Sequence, residues 1–265
     1  MDFIAAFIFL TKEILLIQKS FNPDSDKKRK NMKIKNSKIL ITGGSSGIGL
    51  ATAELLIKKG AQVVISGRNK KMLTATAKRI GAIPLVADVT IERDVVKLVK
   101  NSIKQLNGLD ALINNAGFGY FDLLQNIDTQ KFRAIMETNV VGAMLCGREC
   151  AKYFIENNYG NIINVASTSG LKGHQNGTAY STSKWALRGM TECWREELRQ
   201  YNIRVMMVHP SEVQTNFVIN SGRPKRDFNN TKLEAQDVAH LMVSMLELRD
   251  VGFIPEATIW STNPK

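Results

Sequence analysis

The chain has 265 residues, 44% hydrophobic and 23% charged, with a formal net charge of +12. That length buries a full core, and the composition is that of an ordinary globular protein, as one large α/β domain or two small ones. The basic excess points away from dedicated nucleic-acid binding: Lys27, Lys28, Arg29, Lys30, Lys33, Lys35 and Lys38 crowd into one stretch, and the rest alternate with acids without interleaved aromatics. Cys146, Cys150 and Cys193 form neither a metal-ligand spacing nor an even disulfide set, so a reducing cytoplasm is the simplest compartment.

In chain order, the first segment, "FIAAFIFLTKEILLIQ", is apolar but interrupted by Lys12 and Glu13. It is shorter than the roughly 18–20 unbroken apolar residues that a membrane span requires. It lacks the basic flank and small-residue cleavage site of a secretory signal. Three readings stay open: an upstream extension before a start at Met32, a membrane-surface anchor, or a helix packed on the domain. "NPDSDKKRKNMKIKN" follows as polar linker, so residues 1–36 are expected to be extension and linker and 37–265 one domain.

From Ser37 the pattern is regular. Apolar strands are expected at 38–42, 61–66, "IPLVAD", 109–117 with its exit loop, 160–167 and 203–210. Helical stretches lie between them, including one or two helices over 129–157 and one over 179–200. Strands apolar throughout that alternate with helices indicate a parallel sheet covered on both faces. Crossover handedness then leaves a doubly wound, Rossmann-type α/β domain.

The first strand-to-helix turn, "ITGGSSGIGLA", places Gly43, Gly47 and Gly49 where a dinucleotide pyrophosphate would meet helix N–H groups. Gly43 permits a tight turn, Gly47 a close backbone approach, and Gly49 close packing of helix on strand; a simple glycine-rich loop is the plainer alternative. At the end of the second strand stand Ser66, Gly67 and Arg68, with no acid. An acid there would bond the ribose 2′-hydroxyl of NAD, whereas Arg accommodates a 2′-phosphate, so NADP(H) is favoured over NAD. In "YSTSK", Tyr180 and Lys184 lie one helical turn apart, a spacing that by itself decides nothing.

The ordered set T-G-x-x-x-G-x-G in "TGGSSGIG", "NNAG" at 114–117, Asn139 in "ETNVVG", Ser167 in "NVAS" and "YSTSK" resembles the short-chain dehydrogenase/reductase family over roughly residues 37–260. The glycine spacing is similar to that of its simple oxidoreductases rather than its longer epimerase-type members. The resemblance implies a mainly parallel sheet of about seven strands. It makes Tyr180 the general acid in reduction and base in oxidation, with Lys184 stabilising the phenolate and bonding the nicotinamide ribose. Ser167 would hold the substrate carbonyl, and Asn139 would order a water that relays protons to Lys184. Dinucleotide contacts are implied for Gly43, Ser45, Ser46, Gly47, Ile48, Gly49, Arg68, Asp88, Val89, Asn115, Ala116, Gly117, Tyr180, Lys184, Pro210, Val213 and Thr215. Family members usually form tetramers through the Tyr–Lys helix, so a homo-oligomer is expected.

Two features sit less squarely with that pattern. Pro210 is followed by Ser211 where glycine is common, and Ser169 rivals Ser167 but stands eleven residues from Tyr180 instead of thirteen. His174, His209 and His240 have no partner spacing for a metal or triad; His174 is a candidate pocket residue. The substrate loop is expected at 216–232, where Arg223, Lys225 and Arg226 would attract an anionic carrier such as a phosphopantetheine-linked acyl chain. The leading expectation is an NADP(H)-dependent carbonyl reductase or alcohol dehydrogenase, including a 3-oxoacyl-thioester reductase. Alternatives are a steroid, sugar or small-alcohol enzyme of the same family, a non-catalytic dinucleotide sensor or scaffold, and a membrane-surface enzyme acting on lipids. The complete Ser167–Tyr180–Lys184 set argues against the sensor.

Overall fold

The computed structural model describes residues 32–224 and 227–263. The N-terminal segment 1–31, with its three readings, and Lys225 and Arg226 lie outside the described residues.

The β-branched and leucine-rich runs form strands whose side chains alternate between two apolar layers. Strands β1 (Lys38–Thr42), β2 (Gln62–Gly67), β3 (Ile83–Val86), β4 (Ala111–Asn114), β5 (Gly160–Val165) and β6 (Ile203–Pro210) follow the expected order. With an edge strand, Glu256–Ile259, they build one seven-stranded sheet in the order β3-β2-β1-β4-β5-β6-edge, and every pairing is parallel. Ile39, Ile41, Val63, Ile65, Ile113 and Met206 face one layer, and Leu40, Val64, Leu112, Ile162 and Val205 the other.

Helices α1 (Gly47–Lys58) and α2 (Lys70–Ile80), joined by the late helix Ala235–Glu247, cover the first face through Leu56, Leu73 and Met242. Helices α3 (Glu92–Leu106), α5 (Gly142–Asn157) and α6 (Thr178–Leu198) cover the second through Leu98, Cys146, Phe154 and Leu198. Cys146 and Cys150 are fully buried there, and burial pushes both thiols up, Cys146 to about 12. They are packing residues. The stretch 129–157 is two helices, α4 (Thr129–Met136) and α5, joined by a π-helical turn, Glu137–Val141, that carries Asn139.

Three boundaries differ from the sequence reading. β5 stops at Val165, so Ser167 stands on the loop beyond the strand. The Tyr–Lys helix closes at Leu198, followed by a 3-10 turn. Met32 and Ile34, assigned to the linker, are 6% and 5% exposed and belong to the first core layer. Their alternation with Lys33 and Lys35 is the signature of a segment with one face buried.

The chain leaves β1 towards β2 and β3 on one side and towards β5 and β6 on the other, which opens a crevice at the strands' carboxyl ends.

Candidate active site

That crevice is a cavity of about 970 Å³. Its floor begins at the first turn. Gly43 adopts φ +65°, and a Cβ on it would stand 2.9 Å from Ala116 Cα. A Cβ on Gly49 would lie 2.5 Å from Gly43 O and 2.4 Å from Asn115 Nδ2, so helix and strand approach as closely as their backbones allow. Gly47 at φ +54° leaves an open concavity, with the Thr215 side chain 3.6 Å from where a Cβ would sit. Thr42 and Asn115 lock the turn to the end of β4. Asn115 and Ala116 donate their backbone N–H groups to Thr42 Oγ1 at 3.1 and 3.0 Å, and Asn115 Nδ2 donates to the carbonyls of Thr42 and Gly43, both at 3.0 Å. No side chain caps the first N–H groups of α1, and the turn before it lines the cavity, a cradle that fits a pyrophosphate.

Ser45, Ser46 and Ile48 of this turn line the cavity, as do Val89, Gly117, Pro210 and Val213. At its mouth stand Arg68 and Asp88, a loose pair at 3.9 Å, with the Arg68 side chain 71% exposed. Asp88 spends its Oδ1 on the N–H and hydroxyl of Thr90. The Arg68 guanidinium is held only by that loose contact, and Ser66 and Gly67 precede it at the end of β2. Gly49 and Asn139 are the two expected site residues behind the cavity wall instead of on it.

At the other end the catalytic candidates converge. Tyr180 is 8% and Lys184 6% exposed, on the inner face of α6. Tyr180 and Ser167 both line the cavity, and the phenol ring packs against Phe121 and Phe217, at centroid distances of 5.1 and 5.5 Å. Burial dominates its protonation and pushes the phenol up to about 12, against the smaller lowering effects of nearby Ser167 and the Arg223 charge. Lys184 stands 5.8 Å from the phenol ring and donates to Val165 O at 2.8 Å; burial pulls its ammonium down to about 8. The pair is thus one turn apart on one face as expected, but both groups feel desolvation before they feel each other.

Ser167 is held from two sides. Its Oγ accepts from Ser169 N at 3.1 Å, and its carbonyl is hydrogen-bonded by His209 Nδ1 at 3.2 Å. Ser169 turns its own hydroxyl to His174 at 3.1 Å, which leaves it a supporting role. The Asn139 side chain is taken up structurally: its amide nitrogen donates to Phe118 O and Ser183 Oγ, and its oxygen accepts from Phe118 N, each at 3.0 Å. It clips the Gly117–Phe118 loop to α6. Beneath these residues Asn114 donates to Asn164 (3.0 Å) and Asn164 to Thr191 (2.8 Å), tying β4, β5 and α6 together. Sequence reasoning missed Phe121, Phe217 and this asparagine ladder.

Such a fold and site define a dinucleotide-binding α/β oxidoreductase scaffold with a Ser–Tyr–Lys cluster. The short chain dehydrogenase family description matches residues 37–226, and the chain belongs to that family. It is similar to an oxidoreductase of Staphylococcus aureus, 31% identical over 78% of this chain and 89% of the relative. An oxidoreductase of Staphylococcus epidermidis is 28% identical over 86% of this chain and 98% of its own. Among solved structures, 3-ketoacyl-(acyl-carrier-protein) reductase from Brucella melitensis, complexed with NADH, superposes with a TM-score of 0.80 at 26% identity, covering 86% of this chain and 98% of that one. A metagenomic short-chain oxidoreductase in complex with NADP gives 0.75 at 27% identity, covering 88% and 100%.

Proposed function

We propose that this chain is an NADP(H)-dependent oxidoreductase that interconverts a carbonyl and a secondary alcohol, with 3-oxoacyl thioesters among its possible substrates. The observation that carries the reading is that Ser167 and Tyr180 line the same cleft as the glycine turn, with Lys184 buried one turn along the helix.

A nicotinamide dinucleotide, when bound, supplies or accepts the hydride. The glycine turn holds its pyrophosphate against the α1 N–H groups, and Arg68 takes the 2′-phosphate at the mouth. Ser167 Oγ donates to the substrate carbonyl and fixes its direction, with Ser169 N–H holding that oxygen in place. Tyr180 donates the second hydrogen bond and delivers its proton as negative charge develops on that oxygen. Its ordinary pKa is poorly matched to neutral pH, and burial raises it further, so the phenol stays protonated and ready to donate in reduction. Lys184 stabilises the phenolate left behind, and Phe121 and Phe217 keep water from the ring. Arg68 favours NADPH; the similarity to proteins bound to NADH and to NADP is compatible with either dinucleotide.

The test is a panel of carbonyl compounds, oxo acids, oxoacyl thioesters, cyclic ketones and aldehydes, offered with NADPH or NADH and followed at the nicotinamide absorbance. Turnover that favours NADPH supports the proposal; NADPH binding without turnover of any carbonyl would point to a dinucleotide sensor instead.

A further inference from the structure

A second cation reaches the surroundings of the phenol from the segment after β6, not from the Tyr–Lys helix. Arg223 lines the cavity, and its Cζ lies 4.2 Å from the centroid of Phe121, the same ring that stands 5.1 Å from Tyr180. The guanidinium is half-buried, stacked on an aromatic face and anchored at one point, where Nε donates to Ser221 Oγ at 3.0 Å. Ser221 is fixed in turn, its hydroxyl donating to Val218 O at 2.7 Å. Among the described residues no carboxylate lies within salt-bridge distance of Arg223, and its terminal nitrogens make no hydrogen bond to protein. Four N–H donors in fork geometry are therefore held on the wall of the cleft with no partner among the described residues.

We propose that Arg223 is a specificity residue that binds a carboxylate on the substrate itself, close to the carbonyl that Ser167 and Tyr180 hold, so that the substrate is a short oxo acid and its product a hydroxy acid. The inference rests on the oxidoreductase reading above and narrows it. One aromatic ring separates the guanidinium from the phenol, so the anionic group and the reacting carbonyl belong to one short carbon chain. The phosphate of a carrier-linked thioester stands a whole pantetheine arm from its carbonyl and does not fit that spacing. The charge of Arg223 lowers the phenol's proton affinity, which shows that the two groups share one electrostatic environment. In the forward direction the carbonyl carbon takes a hydride, with its electron pair, from NADPH. The oxygen takes the Tyr180 proton, and NADP+ and the hydroxy acid leave.

The experiment compares the full chain with Arg223→Gln and Arg223→Lys on matched substrates: a 3-oxo acid, its methyl ester, and its coenzyme A thioester, each with NADPH. The wild type should prefer the acid, and Arg223→Gln should raise the acid's KM about ten- to a hundredfold more than the ester's, with partial rescue by Lys. Equal use of acid and ester by the wild type, a preference for the thioester, or an equal loss on both substrates in Arg223→Gln would overturn the proposal while leaving the carbonyl reductase reading intact. Should no carbonyl turn over, that reading fails, and a second titration decides this one. Butyrate is added to the protein–NADPH complex and followed by nicotinamide fluorescence. Binding weakened in Arg223→Gln supports the anion site, and binding that is absent or insensitive to Arg223 refutes it.

Discussion

Gly49 offers the sharpest test of how the dinucleotide cradle is built. Its φ is not in the left-handed region, so Ala meets no backbone strain there; what it meets is its neighbours. The new Cβ would stand 2.5 Å from Gly43 O and 2.4 Å from Asn115 Nδ2. To make room, the Asn115 amide must leave the Thr42 and Gly43 carbonyls, two hydrogen bonds of about 1 kcal/mol each. Overpacking of a close-packed site adds about 1–3 kcal/mol. A loss of about 3–5 kcal/mol follows, which for a domain of this size lowers Tm by roughly 6–20 °C. Gly47→Ala is the comparison: its Cβ has room at 3.6 Å, and only the left-handed φ of +54° opposes it, at about 1–2 kcal/mol. Thermal unfolding followed by circular dichroism, with NADPH titrations on both variants, measures the difference. Gly49→Ala with wild-type Tm and dinucleotide affinity would refute the packing argument.

Arg68→Ala should lower kcat/KM for NADPH about ten- to a hundredfold more than for NADH, because a charge-assisted pair contributes about 1.5–3 kcal/mol; equal losses would remove Arg68 from the 2′-phosphate site. In carbonyl reduction the rate should be flat at neutral pH and fall above about 8, where Lys184 loses its proton while Tyr180, at about 12, keeps its own. A rate still flat at pH 9.5 would contradict the role given to the ammonium. Stability carries the opposite sign: with its pKa lowered from 10.5 to about 8, Lys184 holds fewer protons folded than unfolded between those values, so its contribution to stability rises with pH across that window. Denaturant titrations at pH 7.5 and 10 should show the wild type gaining stability relative to Lys184→Met as pH rises, over a fall common to both proteins from the raised thiols of Cys146 and Cys150.

Much of the fold and site was legible because the signals are periodic or local. The β–α alternation gave six strands in order, and the glycine spacing, Arg68 and the Ser167–Tyr180–Lys184 set lie at strand ends or within one helix. The rest is long-range. Phe121 on a loop and Phe217 at the start of a one-turn helix pack against Tyr180 from far apart in sequence, and neither segment is long enough to carry a period to read. The edge strand Glu256–Ile259 is four residues long, too short to alternate convincingly. Met32 and Ile34 were hidden by the lysines between them, although the one-in, one-out pattern was there. For Asn139 the sequence suggested a water-ordering role, whereas its side chain binds Phe118 and Ser183, partners that meet it only in the folded chain.

The central claim, that the Tyr180 hydroxyl delivers the proton to a carbonyl held by Ser167, is tested most directly by Tyr180→Phe. Single-turnover consumption of NADPH with the best carbonyl substrate should slow about a hundred- to ten-thousandfold, with a far smaller change in NADPH dissociation constant. Turnover within a few-fold of wild type would contradict it.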